Sequence, residues 1–146
     1  MPSSRSAILT SNSTRSSPEP RMVRDYIQAA RLRTLPLASA CILAGGAVAS
    51  ATGNVGFERF MALFLGCLLT VVLLQILANF ANDLGDFENG ADRAEGQERS
   101  DRAVASGRIT AAGMKRAVLL TGALAFLVGT ATVVTAVGDS WVQLLQ

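Results

Sequence analysis

Residues 60–92 read FMALFLGCLLTVVLLQILANFANDLGDFENGAD, an apolar run that becomes polar towards its end. Its residues 60–82 carry no charge, and roughly 20 apolar residues are what a helix needs to cross a bilayer core. An open strand cannot cross, because its backbone groups would stay unpaired in lipid. The run therefore predicts a transmembrane helix whose last turns carry amides and carboxylates.

Two further charge-free stretches flank this one, at residues 34–57 and 117–138. Only 16% of the 146 residues are charged, against about a quarter in an ordinary soluble domain. More than half of the charged residues lie between Asp83 and Arg116. We therefore predict an all-α fold, a polytopic transmembrane helical bundle with helices over about 34–57, 60–86 and 111–138.

The N-terminal segment differs in composition from the rest, since residues 1–20 are mostly Ser, Thr, Pro and Arg. This composition is typical of a disordered tail. We assign the tail to residues 1–23 and the membrane domain to residues 24–146. An organelle transit peptide has the same bias, being rich in Arg and Ser and poor in acids. A secretory signal is a third interpretation, because Ala47-Val48-Ala49 resembles a cleavage site.

Basic residues are unevenly distributed among the connections. Six arginines precede the first span, Arg59 alone lies between the first two spans, and six basic residues lie between the second and the third. By the positive-inside rule, the N-terminus and the loop over residues 83–116 face the cytoplasm. The expected location is the bacterial inner membrane, with an organelle membrane as the alternative.

The polar end of the second span is predicted to form one helix face. Gln75 comes first, and four polar residues follow at spacings of three and four: Asn79, Asn82, Asp83 and Asp86. Residues with these spacings are neighbours on a helix surface. Two carboxylates one turn apart repel each other unless a cation lies between them. The alternative is an ordinary helix end that is solvated in the cytoplasm.

The amino-acid composition of the chain limits which metal ion this helix face could bind. The chain has no His, and both of its cysteines, Cys41 and Cys67, lie in apolar spans. Oxygen atoms are therefore the available ligands, and oxygen favours a hard cation. The sequence predicts a Mg²⁺ site.

The loop after the second span carries four arginines: Arg93, Arg99, Arg102 and Arg108. A guanidinium group binds phosphate oxygens in a bidentate manner, so these residues are candidates for binding a diphosphate. For any single arginine, a topology signal is the simpler explanation. Ser106-Gly107 predicts a turn, after which Ser106 or Thr110 caps the third helix.

Residues 82–86, NDLGD, followed by Gly90 and Asp92, resemble the first aspartate-rich motif of the UbiA superfamily of intramembrane prenyltransferases. The resemblance extends over most of the chain. Further similar segments are residues 33–36 (RTLP), 74–83 (LQILANFAND), 102–110 (RAVASGRIT) and 114–117 (MKRA).

The position of the third acid indicates which branch of the superfamily the chain resembles. Many superfamily members place it four residues after the second, where this chain has Gly90, whereas here the acid is Asp92. This spacing resembles the branch that prenylates 1,4-dihydroxy-2-naphthoate for menaquinone, rather than the 4-hydroxybenzoate or haem branches. The usual Gly-Pro before the loop arginine is replaced by Arg99-Ser100-Asp101, so the loop departs from the family pattern.

The resemblance implies a Mg²⁺-dependent transfer of a polyprenyl group from polyprenyl diphosphate to 1,4-dihydroxy-2-naphthoate, with loss of the ring carboxylate. The implied catalytic residues are Asp83, Asp86 and Asn82. The implied metal ligands are Asp83, Asp86 and Asp92. The implied diphosphate-binding residues are Arg102, Arg33 and Asn79. The lipid bilayer is the remaining partner, and no nucleic-acid partner is expected.

Two other functions compete with this one. A CDP-alcohol phosphotransferase is also an aspartate-rich membrane transferase, but its Gly-Ala-Arg element after the first Asp is not found here. A non-catalytic, cation-binding membrane protein would need neither an allylic diphosphate nor an aromatic acceptor. The superfamily fold has more helices than three and a second aspartate motif. The chain is therefore expected to be a fragment that is inactive by itself.

Cysteine labelling tests the orientation, in a background in which Cys41 and Cys67 are replaced by Ala. The charge asymmetry places Gln97→Cys on the cytoplasmic side and Asn54→Cys on the outer side. Each cysteine is expected to react with an impermeant reagent from its own side only. Labelling of position 54 from the cytoplasm alone, or of position 97 from outside alone, would refute the orientation.

Overall fold

The computed structural model describes residues 19–53, 55–90 and 102–144. Within these ranges the helices are α1 (Glu19–Ala29), α2 (Leu35–Thr52), α3 (Phe57–Glu88) and α4 (Ala111–Leu144), and a short 3-10 helix, Leu32–Thr34, joins α1 to α2. The described part of the chain contains no strand, which confirms the all-α prediction.

Three helical segments are long and apolar enough to cross a membrane: Met22–Thr52, Phe57–Glu88 and Ala111–Gly138. They overlap the three predicted spans and differ from them at the ends. The helix of the first span ends at Thr52, because Gly53 is extended, with φ −89° and ψ 142°. The helix of the second continues through the acidic residues to Glu88.

The structure also bears on the predicted tail. The first helix begins at Glu19, so residues 19–23, which composition assigned to the tail, are helical. Residues 1–18 lie outside the described ranges.

Local sequence explains where two of the helices begin. Pro36 occupies the first turn of α2, where its missing N–H is not needed. The hydroxyl of Thr110 accepts a hydrogen bond from the N–H of Gly113 at 3.1 Å and so caps α4. Gly107, at φ +71°, turns the chain before this cap. The predicted turn and the cap at Thr110 are confirmed, whereas Ser106 bonds within its own loop.

Helices α3 and α4 pack antiparallel through small residues. A Cβ atom added to Gly66 would lie 2.4 Å from the hydroxyl oxygen of Thr132, and one added to Gly129 would lie 3.3 Å from Cγ2 of Thr70. Each helix thus presents a glycine and a threonine to its neighbour. Small residues of this kind let helix backbones approach closely in membranes.

Polar contacts link both ends of this helix pair. At one end, Nη2 of Arg59 donates to the carbonyl oxygen of Ala136 at 3.1 Å. At the other, Nζ of Lys115 lies 2.7 Å from Oε1 of Glu88. The C-terminus of α3 and the N-terminus of α4 therefore lie side by side.

Helix α2 packs antiparallel to α3 on a second contact. A Cβ atom on Gly46 would lie 2.5 Å from the ring of Phe64, whereas nothing lies within 4 Å of a Cβ on Gly45. The close approach of the two helices therefore takes place at Gly46 and not at Gly45. At the other end, Gln75 reaches Thr34, which precedes α2. The start of α2 thus joins the end of α3.

The buried core lies at this common end, where α1, α3, the loop over residues 102–110 and α4 meet. Its members are Ala29, Ala30, Phe80, Leu84, Ala103, Val104, Ile109 and Met114. The ring of Tyr26 packs edge-on against Phe80, with centroids 6.2 Å apart. The long helices instead expose large apolar side chains, including Leu119 and Phe126. Apolar surface on this scale indicates contact with lipid or with further helices.

Gly66→Val is expected to destabilise the pairing of α3 with α4, because the new side chain would overlap Thr132. Overpacking of this kind costs about 1–3 kcal/mol. The measurement is the free energy of unfolding during SDS titration of the protein in detergent. Gly45→Val is the matched control, and its expected change is below about 0.5 kcal/mol because its Cβ meets open space. Equal losses in the two variants would contradict the described packing.

Candidate active site

Asp83 is the most deeply buried of the polar residues near the end of α3 and is only 2% exposed. Its Oδ2 atom accepts a hydrogen bond from the backbone N–H of Ala103 at 3.1 Å, and the N–H of Val104 also interacts with this carboxylate. The Oδ1 atom is buried and has no hydrogen-bond partner among the described residues. Asp83 therefore joins α3 to the loop over residues 102–110.

Asp86 lies one turn further along α3 and forms an ion pair with Arg102. The two side chains differ in exposure, since that of Asp86 is 38% exposed and that of Arg102 only 11%. Arg102, which pairs with Asp86, directly precedes Ala103, whose backbone N–H donates to Asp83. The site thus combines two acids of α3 with one short segment of the loop.

Asn79, one turn before Asp83, is also buried. Its amide donates to the carbonyl oxygen of Ala30 at 2.8 Å and to the hydroxyl of Thr34 at 3.2 Å. Gln75 donates to the same hydroxyl at 3.4 Å. These two amides therefore hold the start of α2 against α3.

Thr34 is a residue of this region that sequence reasoning missed. Its hydroxyl accepts from Gln75 and Asn79 and donates to the carbonyl oxygen of Arg31 at 2.9 Å. The partners on α3 lie more than 40 residues away in sequence. The spacing of residues along the chain therefore could not predict these bonds. The sequence indicated only that the polar residues Gln75 and Asn79, in an otherwise apolar helix, require hydrogen-bond partners.

Asn82 differs from the other predicted site residues of α3 because it is exposed. Successive residues of a helix point about 100° apart, since a turn contains about 3.6 residues. Asp83 faces the loop, and Asn82 faces away from this packed side. The predicted single face is therefore divided, with Asn79 and Asp83 buried, Asp86 at the edge and Asn82 outside.

Arg33 lies in the 3-10 helix and is exposed. It lines a cavity of about 490 Å³ together with Arg31 and Arg108. Arg31 has a left-handed backbone conformation, with φ 49° and ψ 56°, which is uncommon for a residue other than glycine. Nη1 of Arg108 donates to Oε1 of Gln28 at 2.5 Å. Three guanidinium groups around one cavity favour an anionic ligand.

The acidic residues present fit a hard cation only in part. Among the described residues, no three acid or thiol side chains lie close enough together to hold a metal ion. Asp92, the third predicted ligand, lies outside the described residues, as do Arg93 and Arg99. Of the predicted site residues on α3, Asp86 and Asn82 have accessible side-chain oxygen atoms. This donor set suits Mg²⁺, which takes one or two carboxylates and fills its other positions with water and phosphate oxygens.

Long apolar helices with paired acids and arginines at their common end define an integral membrane protein with a candidate site for a cation and an anionic substrate. Residues 38–142 match the UbiA prenyltransferase family, and the chain belongs to this family. The resemblance seen in the sequence is therefore confirmed, and enzymes of this family generally depend on a divalent metal ion. No solved structure matches the chain.

Two curated relatives carry the name 1,4-dihydroxy-2-naphthoate octaprenyltransferase. The protein from Haemophilus influenzae is 39% identical over 103 residues, which cover 70% of this chain and 32% of the relative. The protein from Escherichia coli K12 is 40% identical over 111 residues, which cover 76% of this chain and 34% of the relative. The chain thus matches about one third of the length of each relative.

Asn79→Ala is expected to destabilise the protein by about 1–3 kcal/mol, because it leaves the buried carbonyl group of Ala30 without its donor. The measurement is the free energy of unfolding in detergent. Asn82→Ala is the matched control on the same helix, and its exposed side chain predicts a change within about 0.5 kcal/mol. The buried role of Asn79 would be refuted by equal effects of the two substitutions.

Proposed function

We propose that this chain forms part of an enzyme that transfers a polyprenyl group from polyprenyl diphosphate to 1,4-dihydroxy-2-naphthoate. The acceptor loses its ring carboxylate as CO₂, and the product is demethylmenaquinol, an intermediate of menaquinone synthesis. The observation that carries the proposal is the pairing of Asp86 with Arg102 at the end of a membrane-length helix. The family match and the names of the two relatives support it.

The proposed cofactor is Mg²⁺, held by the carboxylate of Asp86 and the amide oxygen of Asn82. Asp92, two residues after Gly90, is proposed as a further ligand from the adjoining segment. When bound, the metal ion would neutralise the diphosphate and stabilise it as a leaving group. Asp83 was also predicted as a ligand, but its carboxylate is engaged with the backbone of the loop.

The arginines are proposed to bind the phosphate oxygens of the donor. Arg102 is held beside Asp86, so its guanidinium group lies where an approaching diphosphate would meet the acid. Arg33, with Arg31 and Arg108, lines the cationic cavity and would attract a second anionic group, such as a phosphate or the acceptor carboxylate. Charge fixed in position before the reaction stabilises the separating diphosphate without further reorganisation.

The chemistry of the proposed donor explains why the site lies at the end of membrane-length helices. A polyprenyl chain is apolar and is stable between helices or among lipids, whereas its diphosphate requires charged partners. The acids and arginines lie at the end of helices that are otherwise apolar, which matches a substrate with one charged end. We propose that this end faces the cytoplasm and that the protein lies in the bacterial inner membrane.

Mass spectrometry of the product tests the proposed reaction. The protein is co-expressed with the part of the Escherichia coli relative that it does not cover, and membranes receive Mg²⁺, octaprenyl diphosphate and 1,4-dihydroxy-2-naphthoate. Prenylated naphthoquinol is expected, and EDTA should prevent its formation. A product formed equally in EDTA would refute the dependence on a divalent metal.

Asp86→Asn is expected to weaken Mg²⁺-dependent binding of a prenyl thiodiphosphate analogue by about tenfold or more. Even residues that contact metal ligands from outside contribute about 10–100-fold to metal affinity, and Asp86 is proposed to bind directly. The measurement is isothermal titration calorimetry of the protein in nanodiscs, with and without Mg²⁺. Arg102→Ala should weaken binding less, because it removes one phosphate contact and leaves the metal in place.

Glu88→Gln is the matched control for this titration. Glu88 is an exposed acid two residues along the same helix, and its partner is Lys115. Its removal should leave the affinity within about threefold, as for surface substitutions away from a site. Unchanged binding in Asp86→Asn, or an equal loss in Glu88→Gln, would contradict the role proposed for Asp86.

A further inference from the structure

We propose that Asp83 is a positioning residue that anchors the loop over residues 102–110 to α3, and that it does not bind the metal ion. The observation is the hydrogen bond from the backbone N–H of Ala103 to Oδ2 of Asp83, at 3.1 Å. The anchoring role is independent of the proposed function. The statement about the metal ion rests on that function.

Asp83 is too deeply buried to bind a hydrated metal ion. The residue is 2% exposed, and it is covered by Ala103 and Val104, which are 0% and 4% exposed. Mg²⁺ gives up its water reluctantly and usually keeps several water molecules in its shell. A hydrated ion could reach Asp83 only if the loop moved away, whereas the side chain of Asp86 is 38% exposed where it stands.

Asp83 has polar and charged neighbours within the protein itself. A buried carboxylate is costly unless hydrogen bonds and opposite charges compensate for its lost hydration. Here the N–H groups of Ala103 and Val104 interact with it, and the guanidinium groups of Arg31 and Arg102 act on it electrostatically. The loop thus supplies a partner for Oδ2 of Asp83, whereas Oδ1 has no hydrogen-bond partner among the described residues.

The anchor also determines where Arg102 lies. Ala103 is fixed through its N–H by Asp83 and through its carbonyl oxygen by the N–H of Ile109, at 3.0 Å. Arg102 directly precedes this fixed residue, and its guanidinium group meets Asp86. Asp83 therefore sets the relative position of the exposed acid and the arginine that are proposed to bind the metal and the diphosphate.

Hydrogen exchange of the Ala103 and Val104 amides tests the anchor in the protein in nanodiscs. In Asp83→Ala, both amides are expected to exchange about tenfold faster or more, because the buried N–H groups lose the carboxyl group that they contact. Asp83→Asn keeps an accepting oxygen, so its exchange should stay within about threefold of the original protein. Unchanged exchange in Asp83→Ala would overturn the anchoring role.

A second experiment distinguishes an anchoring role of Asp83 from metal binding. It measures the binding of Mn²⁺, a probe of the Mg²⁺ site, by electron paramagnetic resonance. Asp83→Asn should retain the Mn²⁺ affinity within about threefold, because it preserves the loop, whereas Asp86→Asn should lose about tenfold or more. An equal loss in the two variants would make Asp83 a ligand and refute the proposal. If the original protein binds no Mn²⁺, the proposed metal site fails, and the exchange measurement by itself still decides the anchoring role.

Discussion

The close antiparallel contact between α3 and α4 is the constraint on which the rest of the structure depends. Gly66 and Gly129 lie in this contact, each facing a threonine of the other helix. With the helices in register, the acidic end of α3 lies beside the start of α4 and the loop that precedes it. That loop reaches Asp83 only because the two helix ends are adjacent. A shift along the helix axis would separate the acid from its backbone donor.

The polar groups at this end are stabilised in different ways according to their depth. Asn79 and Asp83 are buried and satisfy backbone groups of other segments, which holds the start of α2 and the loop in place. Asp86 and Asn82 remain accessible. A buried polar group without a partner is destabilising, so the deep positions suit structural contacts. The outer positions are accessible, which suits the contacts with a cation and a diphosphate that we propose for them.

Particular residues show how far the sequence predicts the site. The spacing of Asp83 and Asp86 correctly placed both acids at the end of one membrane-length helix. The spacing could not predict that Asp83 is buried and Asp86 exposed. Both are aspartates one turn apart, and helix periodicity does not indicate which segment packs against each side of the helix. Arg102 was predicted to bind phosphate, and its pairing with Asp86 depends on a loop fold that spacing does not encode. Arg33 was grouped with it, and the structure places Arg33 on the cationic cavity.

The sequence by itself determined the fold class and the three spans, because lipid allows only helices in charge-free stretches of this length. It also predicted the turn at Gly107 and limited the helix cap to Ser106 or Thr110, since both features depend on neighbouring residues. Only the tertiary structure decided which carboxylate is buried, which amides bond to Thr34 and which glycine meets a neighbouring helix. Those outcomes depend on contacts between segments far apart in sequence, where a difference of one helical position moves a side chain from the interior to the surface.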